Sequence, residues 1–172
     1  MRKNIPENWL RGKVPDISEL LQPAAHALLQ SKEEVGLYMR VFPNELLWEK
    51  PAGRASVGFH LQHLTRVIDR MLTYAKKEKL SEIQLQYLKN EGKPNNKISA
   101  EFLVQNFKNK IDEAMDFLKN TPENIITEYR PVGRKELPST VIGLLFHAAE
   151  HSQRHVGQLL VSLSVLKQNQ GI

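Results

Sequence analysis

Four stretches of this 172-residue chain carry apolar side chains at steps of three and four, and almost nothing alternates at a step of two. The 3.6-residue period puts such side chains on one helix face, so each stretch must bury a stripe against another. The first holds Leu20, Leu21, Ala24, Ala25, Leu28, Leu29, Val35, Leu37, Tyr38 and Val41. The second, from Val57 to about Lys77, holds Phe59, Leu64, Val67, Ile68, Met71, Leu72 and Ala75. The third, from Ala100 to about Lys119, holds Phe102, Leu103, Phe107, Ile111, Ala114, Met115 and Leu118, and the fourth ends near Leu166. Helices of roughly 20 residues are about 30 Å long. Four of them, with one stripe apiece, predict an all-α four-helix bundle.

Local signals punctuate the stripes. Asp16 with Glu19 has the spacing of a capping box, Pro23 suits a first helical turn, and Pro43 ends the first helix. A single turn is expected in NELLWEK. Ser56, Ser81, Ser99 and Ser139 are expected N-caps, with a short helix from Ser81 that stops at Gly92. Residues 120–138 hold three prolines and a glycine, and a short hairpin is expected around Val132 and Gly133. Residues 1–15, with Pro6, Gly12 and Pro15, read as an irregular lead-in to one domain that spans residues 1–172.

Composition removes several function classes. The chain has no cysteine, which excludes disulfides, a cysteine nucleophile and thiolate metal ligands. Lys and Arg number 24 against 19 Asp and Glu, a net charge of +5. These basic residues are scattered, with one tight group at Lys76, Lys77 and Lys79, so nucleic acid is not an expected partner. No apolar run approaches the ~20 residues of a membrane span. The first residues have two basic side chains but no apolar core behind them, so a cytoplasmic protein without a membrane partner is expected.

The last stripe carries three of the six histidines, His147, His151 and His155, at steps of four within LLFHAAEHSQRHVGQLL. Each step of four turns the helix by only about 40°, so the rings form one row. Imidazoles in an otherwise apolar helix are costly to bury unless hydrogen-bonded or bound to metal. His151 and His155 can share one divalent ion, and His60 and His63, in FHLQHLTRVIDR, are both candidates for a third ligand. Isolated His26 is expected to be an ordinary hydrogen-bonded side chain.

These same stretches resemble the DinB/YfiT-like family of metal-binding four-helix proteins. The likeness rests on ASVGFHLQHLTRVIDRMLTYA, with His63, Leu64 and Asp69, and on GLLFHAAEHSQRHVGQLL, with His151, His155, Gly157 and Gln158. It implies an up-up-down-down bundle with long crossover connections, and a homodimer. It also implies His63, His151 and His155 as metal ligands, with His60 and His147 left as candidate catalytic or positioning groups. Three imidazoles suit zinc or nickel, with iron and manganese also compatible. Such a centre would activate a low-molecular-weight thiol, as in an S-transferase, or water, as in a hydrolase. A non-catalytic metal-binding or interaction module is the alternative. A small-molecule substrate is expected, with Arg154, Gln158 and Arg134 as candidate contacts and the segment VGRKELPST over the mouth of the site. Asp69 is expected to be structural, Glu150 to form a salt bridge, and Gly157 to allow close helix packing.

Overall fold

A computed structural model describes residues 5–171; residues 1–4 of the expected lead-in, and residue 172, lie outside it. The described residues form five α-helices: α1 Gln22–Tyr38, α2 Val57–Ala75, the short α3 Glu82–Asn90, α4 Ala100–Lys119 and α5 Val141–Asn169. An antiparallel hairpin, β1 Tyr129–Val132 and β2 Leu137–Thr140, precedes α5. No helix among them is long and apolar enough to cross a membrane.

Three expected caps form. Ser56, Ser81 and Ser99 accept hydrogen bonds from the backbone N–H groups of Phe59, Gln84 and Phe102, and Gln84 closes a capping box at α3. The other two starts differ. Asp16 sits at φ 63 and caps nothing; Ser18 caps a 3-10 turn, Glu19–Leu21, and Pro23 takes the first turn of α1. At α5 the cap is Thr140, because Ser139 is still paired with Arg130 in the hairpin. Residues 5–15 are tied to α1: Asn8 bonds Gln30, and the Arg11 guanidinium grips Glu33 at 2.6 and 2.8 Å.

The four long helices form a ring of neighbours, α1 and α2 each touching both α4 and α5. Leu28, Leu64, Ile68, Phe107, Ile111, Leu145 and Leu159 fill the space between them. Cross-helix pairs give the directions. His60 meets His155 and His63 meets His151, so α2 and α5 are antiparallel. Lys32 pairs with Asp112, and Gly36 lies against Lys108, so α1 and α4 are antiparallel. Gln153 bonds Ala27 and Ser31 while Lys167 lies over Phe42, so α1 and α5 are parallel. The order is therefore up, down, down, up, which corrects the up-up-down-down expectation. Only the connection 76–99, which contains α3, returns the chain to start a helix parallel to the one before it.

Candidate metal centre

The centre lies between α2 and α5. Steps of three on α2 and four on α5 keep His60 and His63 on one face and His151 and His155 on the facing one. His63 Nε2 is 2.8 Å from His151 Nε2, and the His155 ring lies 4.4 Å from His63 and 4.6 Å from His151. One nitrogen from each of His63, His151 and His155 falls within a 4.8 Å cluster. Phe59 stacks on His63 at 5.3 Å, an apolar lid on one side of the ring.

Partners behind the rings set their orientation. His63 Nδ1–H donates to Glu91 Oε2 at 2.8 Å, and Glu91 is also held by Arg70. Burial would raise the Glu91 carboxyl, but the His63 hydrogen bond and the charges of His63, Arg70 and Arg66 outweigh it and hold its pKa below the ordinary range. A carboxylate only accepts, so the Nδ1 proton of His63 faces Glu91 and its Nε2 faces the cluster. His60 and His155 share a hydrogen bond between their Nδ1 atoms at 3.0 Å. Burial, reinforced by neighbouring histidines, pushes His60 and His151 down to about 4 and His155 to about 3. These three rings are therefore neutral near pH 7, the form that ligates metal.

The donor set fits a borderline divalent ion: neutral nitrogens from two helices, with a carboxylate behind one of them. His151 Nδ1 is the one buried side-chain nitrogen or oxygen without a hydrogen-bond partner among the described residues. It is not the nitrogen that meets His63, which is Nε2, so this missing partner is separate from the His63–His151 contact.

Other expected residues are spread more widely. His60 is 3% exposed and engaged with His155, which gives it a positioning place. His147 is 44% exposed, 4.9 Å from the His151 ring, and bonded to Glu150. With Glu150 and His151 it forms a second close group of possible ligands. Arg154 pairs with Glu150, and Gln158 and Gly157 are exposed. A Cβ at Gly157 would meet nothing within 4 Å, so close packing within the chain is not the reason for this glycine. Asp69 is structural: it accepts from Gln84 of α3 and Lys110 of α4. His26 donates to the Gly12 carbonyl.

Arg134 lies in the hairpin turn, exposed. The hairpin is anchored by Arg130 Nε–H donating to the Ala75 carbonyl, at the C-terminal end of α2. That anchor is roughly 18 Å along the helix axis from His63, so the hairpin is not docked over the cluster and Arg134 is not among the groups gathered there. The residue that sequence reasoning missed is Glu91. Its signal is faint, an acid just before the glycine that stops α3.

A family model described as the DinB superfamily matches residues 38–159, which takes in all four clustered histidines and Glu91. No curated protein matches the chain.

Proposed function

Because the chain belongs to the DinB superfamily, we propose that His63, His151 and His155 hold one divalent ion, zinc or nickel, and that the protein is a metal-dependent S-transferase-like enzyme. The supporting observation is the 4.8 Å cluster of three imidazole nitrogens, two of whose rings are oriented from behind by Glu91 and His60. Iron and manganese suit the same ligands less well, since both stand lower in the affinity order.

Once bound, such an ion supplies Lewis acidity that lets a thiol or water lose its proton near neutral pH. The chain's own groups divide the remaining work. Glu91 keeps the Nδ1 proton on His63, and His60 fixes His155. His147, half-exposed and one turn from His151, carries the released proton to solvent. The thiol comes from a small molecule, because the chain has no cysteine. Its sulfur forms a bond to an electrophilic carbon, and the leaving group departs with the bonding pair.

Metal content of the untagged protein is the test. About one zinc or nickel ion per chain is expected, lost in His151→Ala and kept in His26→Ala. No affinity for either metal, or equal content in both variants, would overturn the proposal.

A further inference from the structure

We propose that a cleft beside the imidazole cluster is an anion subsite, which receives a carboxylate or phosphate group of the substrate. The cleft has a volume of about 210 Å³ and lies between the 3-10 turn Pro51–Gly53 and the turn at Glu91 and Gly92. Whole small-molecule pockets run to about 300–1,000 Å³, so this one suits a group rather than a complete ligand.

Its charge is unbalanced. Lys50 and Arg54 line the cleft, and neither has an ion-pair partner among the described residues. The one acid in its wall, Glu91, is already engaged by His63 and Arg70. Ser56 lines the same cleft at the N-cap of α2, where the helix adds a fixed partial positive charge. An anion is the complement to that wall, through charge-assisted hydrogen bonds.

The walls are also held in fixed positions. Gly92 sits at φ +76, and a Cβ there would come within 2.8 Å of the Phe59 ring. On the facing turn, Ala52 holds a left-handed conformation, φ 48, followed by Gly53 at φ 70. A non-glycine residue persists there only when its surroundings fix it. Hydrogen bonds from Gly53 N–H to Lys50 and from Arg54 N–H to Pro51 close the turn that carries both cations. Trp48, packed where a Gly58 Cβ would stand, pins the same loop to α2.

Phe59 and Glu91 are shared walls: one stacks on His63 and the other bonds it. A group anchored in the cleft therefore keeps the rest of a small molecule beside the imidazoles. Calling that group part of the substrate rests on the proposed function; anion binding itself does not need the metal.

The full-length ¹⁵N-labelled protein is titrated with inorganic phosphate and, separately, with succinate, at ionic strength held constant with chloride. Saturable shifts of the Gly53, Ser56 and Gly92 amides are expected with at least one of them, and the saturating anion identifies the preferred group. The double variant K50Q/R54Q, altered at two exposed positions, should bind about tenfold more weakly or worse. K119Q, at the end of α4 remote from the cleft, should bind as the parent does. Linear drift with both anions, or an unchanged Kd in the double variant, would overturn the subsite. Metal content of the same samples separates the two proposals. Metal without anion saturation removes only the subsite, and saturation without metal removes only the metal centre.

Discussion

At Glu91, one carboxylate settles which nitrogen of His63 faces the cluster. It accepts from Nδ1 and is held ionised by the cations around it, so the lone pair at Nε2 is left for a ligand bond. Glu91→Gln keeps the shape and removes the charge. Metal affinity, measured by competition with a chelator, is predicted to fall about 10–100-fold. Affinity equal to that of the parent would mean that the bond orients nothing of consequence. By spacing alone, His60 and His63 are equivalent candidates at i, i+3, and only the family resemblance favours His63. What separates them is tertiary: His63 points at His151 and has a carboxylate behind it, whereas His60 points at His155. Glu91 itself was hidden, because nothing local distinguishes an acid near a helix stop from any solvated one.

Among the elements, α3 shows how a polar piece delivers that carboxylate. It buries no residue. A fully buried Leu contributes about 1.5–3 kcal/mol, so α3 must rely on hydrogen bonds worth about 0.5–1.5 kcal/mol each. Gln84 reaches Asp69 and Thr73, Arg66 reaches the Tyr87 carbonyl, and Gln62 accepts from Gly92 N–H. Its caps were readable from Ser81 and Gly92; its docking was not, because polar contacts leave no periodic stripe. The facing pair α2 and α5 makes a pH prediction. His60, His151 and His155 have folded pKa values pushed down to about 4, 4 and 3 from an ordinary 6.5. Between those values the unfolded chain binds more protons, so stability is complete above about pH 6.5 and declines as the pH falls. The melting temperature of the metal-free protein should therefore drop from pH 7.5 to pH 5.0. A flat or rising melting temperature would show that the rings do not titrate as buried groups.

For the whole molecule, helix number and extent were legible because burial against neighbours writes a stripe into each long helix. Phe107, Ile111 and Leu118 of α4, all at 0% exposure, are such a stripe. Helix direction was not legible. The connections 39–56 and 120–140 both lead to antiparallel helices, and nothing in their composition distinguishes them from the parallel crossover 76–99. The hairpin was expected around Gly133, but its place at the far end of α2 depends on Arg130 finding the Ala75 carbonyl, a contact 55 residues apart in sequence. The proposed ligand pair on α5 could be read from its spacing because both histidines lie on one helix; for the third, spacing left His60 and His63 open, and only the family resemblance favoured His63. The most direct test of the metal centre is a crystal structure of the untagged protein with data collected on both sides of the zinc and nickel absorption edges. One anomalous peak is predicted at bonding distance from nitrogens of His63, His151 and His155. A peak held by other residues, or no peak from protein crystallised with either metal, would contradict it.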